Sequence, residues 1–382
     1  MIKVETSLTD DSLTEGFDIY RKLQQHLDKM PIGFPSVKSG ADIRVLKHLF
    51  TPEEAKIAML LRFGWERDLE PLEDIYKHAK KLGLSIDKLE EILDNMVSKG
   101  SIMFKREGNK KFYGNALLMV GMFEFQVNKL TKEFIKDFHD YFEEGWLPEA
   151  FRVKGAQLRT IPVEKSIEST QNISSFDDIS KHFDTAEEPI AIMNCICKQL
   201  KDMMEDPCKI TDRREVCMGF GVPARLFIEQ GWGREINKDE ALEILRKNQE
   251  EGLVLQSDNS QKLSFICSCC SCCCESLSKY LLLPNPAQAT ISNYYAEVDP
   301  ELCIGCGTCV EICPMNAIKL ENDLSSVRLK RCIGCGNCVA KCPEEAISLH
   351  KKEKQLTPYP TMDDLFDRIM ERKIALKEQP KR

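Results

Sequence analysis

An α+β multidomain protein is what the sequence predicts, on three observations. Residues 13–100 carry apolar side chains at helical spacing and lead into a hairpin pattern. Residues 151–283 mix strand-like and helix-like patterns and hold ten of the eighteen cysteines. Residues 303–343 hold the other eight, in two runs of four, each closed by a proline. The expected divisions are a helical domain with a trailing helix over 1–150, a cysteine-rich α+β domain over 151–283, a small cysteine-patterned domain over 284–350, and a charged linker with a C-terminal helix over 351–382.

The first helix is expected near residues 13–29, followed by the irregular segment PIGFPSVKSG. IRVLKHLF has helical spacing, and TPEEAKIAMLLRF restarts a helix with Thr51 as N-cap and Glu54 as its capping-box partner. EPLEDIYKHAKKLG reads as a short helix stopped at Gly83. Ser85 caps the next helix, whose Ile86, Leu89, Ile92, Leu93 and Met96 share one face, with Gly100 as its stop. SIMFKREGNKKFYG then reads as two strands around Glu107-Gly108-Asn109.

Helices followed by a β-hairpin make the order of a winged-helix-like domain, which raises the question of DNA. The helix in the recognition position displays Asp87, Glu90, Glu91 and Asp94 against Lys88 and Lys99. A groove-reading helix usually meets phosphates with Lys and Arg, so these acids argue against DNA binding. The basic hairpin residues Lys105, Arg106, Lys110 and Lys111 read as a solvated face. Contact with protein, including a homodimer through this domain, is the expected use. Beyond it, Phe123, Phe125, Leu130, Phe134, Phe138 and Phe142 form an aromatic stripe, expected on one packing helix.

In the middle region QLRTIPVEKSI has strand character and SFDDISKHFDTAEE is helical. PIAIMN reads as a buried strand running into Cys195. GVPARLFIEQG is a helix, Gly-Trp-Gly-Arg a turn, and Asn237 with Glu240 the capping box of a helix that Gly252 follows. LVLQSDNSQKLSFI reads as two strands joined at Ser257-Asp258-Asn259-Ser260 and ending on Cys267. At the C-terminus Thr361 caps a helix whose Leu365, Ile369 and Ile374 are expected to dock, and the final basic residues are expected in solvent.

The C-terminal cysteines read CIGCGTCVEICP and CIGCGNCVAKCP, each C-x2-C-x2-C-x3-C-P. Three closely spaced thiolates cap three irons of a cubane, and in two-cluster proteins the fourth cysteine ligates the other cluster. Cys303, Cys306, Cys309 and Cys342 are thus expected on one [4Fe–4S] cluster, and Cys332, Cys335, Cys338 and Cys313 on the other. Zinc sites commonly use two C-x2-C pairs, so zinc or a disulfide framework is the weaker reading.

The remaining thiols, Cys195, Cys197, Cys208, Cys217, Cys267, Cys269, Cys270, Cys272, Cys273 and Cys274, are candidate ligands of a further iron–sulfur cluster, or two, or of zinc. Cys195, Cys197, Cys208 and Cys217 suit one site. Directly adjacent cysteines seldom reach one metal without strain, so only a subset of the run CSCCSCCC is expected to ligate, on its own or with Cys195 and Cys197. The bland alternative, buried thiols acting as small hydrophobes, suits isolated cysteines better than six within eight positions.

A net charge of −8 argues against a general nucleic-acid binder. The first thirty residues carry scattered acids and no apolar core, so no signal peptide is expected, and the run ALLMVGMF is too short to span a bilayer. Many cysteines without an export signal point to a reducing, cytoplasmic and oxygen-poor setting.

Residues 296–348 resemble the bacterial two-[4Fe–4S] ferredoxin family at every cysteine and both prolines. That resemblance implies a ferredoxin-like fold and low-potential electron transfer. The whole chain resembles a group of anaerobe 4Fe–4S binding proteins with an N-terminal winged-helix-like domain. The shared segments are CICK (195–198), CMGFG (217–221), CSCCSCCC (267–274), TPEEAKIAMLLR, FEFQ, GREINKDEALEIL and the stretch NYYAEVDPELCIGCGTCVEICPMNAI. Lys198 stands where many relatives carry Arg, and Ser268 and Ser271 where they often have Asn and Gly.

The expected function is electron transfer, as a carrier or a subunit of a redox complex, with a flavoprotein or iron–sulfur protein as partner. The near-identical CIGCG motifs predict similar cluster environments and similar potentials, on the order of −400 mV. Two alternatives are a redox-sensing winged-helix regulator and an oxidoreductase centred on the middle cysteines. No nucleotide motif and no catalytic set stands out; His182, Asp184, Glu187 and Glu188 lie near the cysteines in sequence only.

Overall fold

The computed structural model of the chain describes residues 11–167, 173–184 and 186–378. It mixes helices and sheets in two compact units: Met1–Gln126 with Thr131–Gly155 and Ile369–Arg382, and Val127–Leu130 with Ala156–Arg368. The terminal basic residues Lys381 and Arg382, and Thr185 within the expected helix SFDDISKHFDTAEE, lie outside the described residues.

The first unit runs α1 (Asp11–Leu27), α2 (Ala41–Leu49), α3 (Pro52–Ala58), β1 (Glu70–Pro71), α4 (Leu72–Ala79), α5 (Ile86–Lys99), β2 (Ile102–Glu107), β3 (Lys110–Asn115), α6 (Lys132–Tyr141) and α7 (Leu147–Arg152). Its caps are local chemistry. Thr51 and Glu54 close a reciprocal capping box on α3, and Ser85 accepts from the Lys88 N–H at the start of α5. Gly100 ends α5 in the left-handed region, φ 76°, where a side chain would be strained. Glu107 pairs with Lys110, leaving Gly108-Asn109 as a two-residue hairpin turn.

Two expectations are corrected here. The helix begun at Pro52 stops at Ala58 instead of running to Phe63. Asn115 is the reason: its side-chain amide donates to the carbonyls of Ala58 and Leu61, and its N–H to that of Arg62. Those carbonyls are satisfied without further helical turns. The aromatic stripe is not one helix either. Residues before α6 are irregular, with Gly121 at φ 158°, and the rings meet by folding back. Phe123 stacks on Phe138 at 4.0 Å, and Phe138 on Phe142 at 5.6 Å.

The second unit runs β4 (Leu158–Ile161), α8 (Ile179–Asp184), β5 (Ile190–Asn194), α9 (Ile196–Met203), β6 (Glu215–Phe220), α10 (Gly221–Glu229), β7 (Gly233–Ile236), α11 (Lys238–Glu250), β8 (Val254–Asp258) and β9 (Phe265–Cys269). It continues with α12 (Glu275–Leu282), α13 (Pro286–Ala289), β10 (Tyr294–Val298), α14 (Thr308–Ile312), β11 (Ile318–Glu321), β12 (Leu324–Val327), α15 (Asn337–Ala340) and β13 (Ile347–Lys351). The last helix of the chain, α16 (Met362–Glu378), belongs to the first unit from Ile369 onward. It is capped by Thr361 and Asp364; Leu365 and Ile369 are buried, but Ile374 is exposed, against expectation.

Six strands form one sheet in the order β4-β8-β9-β6-β5-β7. The Gly-Trp-Gly-Arg segment, expected as a turn, turns only at Gly231 (φ 67°) and then supplies the edge strand β7 beside β5. Both β5 and β9 are antiparallel to β6, which lies between them, so they run the same way and end at the same edge. Cys195 follows β5, Cys269 ends β9, and Cys217 lies on β6 opposite Met193. Sheet order thus gathers cysteines that are far apart in sequence. The last eight cysteines lie in the chain between β10 and β13, which pair antiparallel, as β11 and β12 do.

Candidate metal centres

The two C-terminal motifs fold around two cavities. One is lined by Cys303, Cys306, Cys309 and Cys342, with Gly305, Thr308 and Ser325. The other is lined by Cys313, Cys332, Cys335 and Cys338, with Gly334 and Gly336. Each cavity therefore takes three thiols from one motif and the fourth from the other. Soft thiols around a chamber, with glycine backbone curling past it, are a donor set suited to an iron–sulfur cluster.

The cavities differ in setting, although both motifs begin CIGCG. Ile304 is 62% exposed and Cys306 is exposed, whereas Ile333 is 2% exposed and Cys332, Cys335 and Cys338 are buried. The expectation of similar environments is therefore corrected. Thiol chemistry follows the same divide. The Ser325 N–H holds the Cys303 thiol below the usual thiol range, and the Thr308 hydroxyl does so for Cys306. Burial pushes Cys335 up to about 12 and Cys338 well above its ordinary value. Loading metal there must expel those protons, so binding depends on pH. Backbone N–H groups already point at the sulfurs: Ala296 at Cys332, 3.4 Å, and Ala317 at Cys313, 3.2 Å.

The buried cavity adjoins the cysteine-rich region. The Val163 N–H donates to the Cys335 carbonyl at 2.9 Å, and the Asn337 amide to the Gly252 carbonyl at 2.6 Å. Cys332, Cys335 and Cys338 share one apolar cluster with Cys269, Cys274 and Leu277.

The ten middle thiols fall into two groups. Six form a ring: Cys195 neighbours Cys197 and Cys217, Cys197 neighbours Cys274, Cys274 neighbours Cys269, and Cys269 neighbours Cys267, which closes on Cys217. Coupling between neighbours holds Cys195, Cys267 and Cys274 low and pushes Cys197, Cys217 and Cys269 up, since adjacent thiols cannot all ionise. Cys195 and Cys274 are also the N-caps of α9 and α12, where helix N–H groups favour negative charge.

The other four, Cys208, Cys270, Cys272 and Cys273, have sulfurs all within 4.8 Å of one another. This grouping differs from a site made of Cys195, Cys197, Cys208 and Cys217, and it includes the adjacent pair Cys272 and Cys273, whose sulfurs are 3.7 Å apart. Cys208 arrives from the loop between α9 and β6, and the rest from the turn between β9 and α12.

Lys198, noted in the sequence only as a place where relatives carry Arg, gains a role here. Its side chain is 1% exposed, and its ammonium lies 3.6 Å from the Cys270 sulfur. Negative charge on Cys195, Cys270, Cys208 and Cys269 outweighs burial and raises its pKa, so it serves both thiol groups. A lone basic residue beside a C-x-C pair was the only sequence signal. His182 is buried and bonded to the Gln261 carbonyl, Asp184 pairs with Lys238, and Glu187 with Lys262. They form no catalytic set.

No helix among the described residues is long and apolar enough to cross a membrane. Two family models, each described as a 4Fe-4S dicluster domain, match residues 295–343 and 331–368. No significant match was found among curated proteins or solved structures. The crossed thiol sets and the family models agree, and the C-terminal part of this chain is a ferredoxin-like 4Fe–4S dicluster region.

Proposed function

We propose that this protein transfers single electrons, as an iron–sulfur carrier or a subunit of a larger redox complex. Cys303, Cys306, Cys309 and Cys342 would hold one [4Fe–4S] cluster, and Cys313, Cys332, Cys335 and Cys338 the other. Such clusters, when bound, supply reversible one-electron chemistry at low potential. The observation that carries the reading is the pairing of each crossed set of four thiols with its own cavity.

The chain's own residues give this arrangement a direction. Leu302, Ile304, Leu320 and Leu324 expose apolar surface beside the exposed Cys306. Glu301, Glu311, Glu321, Asp323, Glu344 and Glu345 are exposed in the same segment and outnumber its exposed bases Lys319, Arg328, Lys330 and Lys341. An apolar centre with an acidic rim suits a redox partner carrying a basic patch, a flavoprotein or another iron–sulfur subunit. The buried cavity is tied to the middle region through Val163 and Gly252, which favours passage between the partner-facing edge and that region. A cytoplasmic, oxygen-poor location fits the free thiols.

The helices and hairpin of the first unit support a winged-helix-like reading. Several of its charges pair internally: Lys111 with Glu90 and Asp94, Lys105 with Glu107, and Lys88 with Glu91. That supports protein contact or homodimer formation over DNA, and so counts against a redox-sensing regulator. An active centre at the middle thiols lacks a substrate-side catalytic set.

Anaerobic purification, iron and sulfide analysis and an EPR-monitored redox titration test the proposal. About eight irons and eight sulfides are expected from the C-terminal region, with reducible signals. A reconstituted protein without a reducible signal rejects it.

A further inference from the structure

We propose that Cys208, Cys270, Cys272 and Cys273 bind a single zinc ion, separate from the iron–sulfur centres. The distances decide the nuclearity. Cys208 lies 3.6 Å from Cys270 and 3.9 Å from Cys272, sulfur to sulfur, and Cys270 lies 3.4 Å from Cys272. One ion at about 2.3 Å from each of four sulfurs in a tetrahedron holds the sulfurs about 3.8 Å apart. Four irons standing between thiolates would hold them much farther apart. The same protein supplies the contrast. Among the described residues, this is the one group of three or more His, Cys, Asp or Glu whose ligand atoms all meet within 4.8 Å. Neither C-terminal cavity brings its cysteines so close, and nor does the six-thiol ring.

Charge favours an occupant once these thiols ionise. Four thiolates within 4.8 Å repel strongly in a poorly solvated site, and a divalent cation relieves this. The complex would still carry two negative charges. Lys198, buried against Cys270, offsets part of them. A tetrahedral set of four thiolates with no open position is the donor set of a structural zinc site. Zinc also outcompetes iron(II) for a given set of ligands. The ion would fasten the loop bearing Cys208 to the turn between β9 and α12, and so hold the ring cysteines Cys269 and Cys274 in place.

The test uses the full chain purified anaerobically. Zinc should be present at one per chain. Zinc-edge X-ray absorption should show four sulfur neighbours at about 2.3 Å and no metal neighbour. Cys208→Ser should weaken zinc binding at least tenfold in chelator competition and leave acid-labile sulfide unchanged. Lys198→Met should weaken zinc binding roughly 10- to 100-fold, as loss of an outer partner does, and Lys198→Arg should restore most of it. A metal neighbour in the spectrum overturns the proposal. So does iron in place of zinc, sulfide lost together with the metal in Cys208→Ser, or zinc content unmoved by that substitution. If Cys208→Ser fails to fold, the absorption spectrum of the unaltered chain still decides.

Discussion

Gly307 and Gly336 occupy the same place in the two CIGCG motifs and have almost the same backbone, φ 81° with ψ −9° and −2°. Alanine at either position costs roughly 1–2 kcal/mol from the left-handed conformation alone. Their surroundings separate them. A Cβ on Gly307 would meet only Leu320 Cδ2, at 3.8 Å, an ordinary contact. A Cβ on Gly336 would collide with Ser166 Oγ, lie 2.6 Å from Ser166 Cβ and 3.2 Å from the Val163 nitrogen. Turning the hydroxyl aside does not help, because Ser166 Cβ is itself too close and Ser166 is buried. Overpacking of this kind adds about 1–3 kcal/mol. Gly336→Ala should therefore destabilise by about 2–5 kcal/mol, and Gly307→Ala by the strain alone. Anaerobic denaturant unfolding, with iron and sulfide per chain as a second readout, measures both. Ser166→Gly should recover most of the extra loss in the Gly336→Ala background and none in the Gly307→Ala background. Equal losses for the two alanine variants, or no rescue, would refute the packing argument.

Three further outcomes are expected. An EPR redox titration should resolve two potentials separated by at least about 60 mV, the tenfold step of a one-electron couple. The lower should belong to the buried cavity, where added negative charge is less well solvated; coincident potentials would count against this. Asp258 is fully buried and accepts from Ser260 and from the Ser264 and Phe265 N–H groups, yet burial raises its pKa to about 7. The folded state thus binds this proton more tightly than the unfolded one, and stability falls as pH rises from about 4 to 7. Asp258→Asn should gain about 2–3 kcal/mol relative to the unaltered chain between pH 5 and pH 8, read from denaturant midpoints; a pH-independent difference would disprove it. Glu54 holds Lys99, Asn95 and the Thr51 N–H at once. Glu54→Ala should cost about 2 kcal/mol and Glu54→Gln less, with Trp65 and Trp146 reporting unfolding.

Much of this protein is legible locally. The helix stops at Gly83 and Gly100, the capping box of Thr51 and Glu54, and the turn at Gly108-Asn109 depend on side chains within a few residues of the backbone they serve. The two C-x2-C-x2-C-x3-C-P runs likewise state their own chemistry, because a cubane needs several thiols from one short loop. What only the tertiary structure decided depends on long-range neighbours. Asn115 ends α3 across more than fifty residues of sequence. Two motifs that are nearly identical in sequence differ in exposure because Val163, Ser166 and Gly252 cover one of them. The ten middle thiols sort into four and six because β5, β6 and β9 end or pass side by side, while Cys208 comes in on a loop and Lys198 on the first turn of α9. Spacing along a chain sets which cysteines can share a loop; sheet order and loop path set which sulfurs meet.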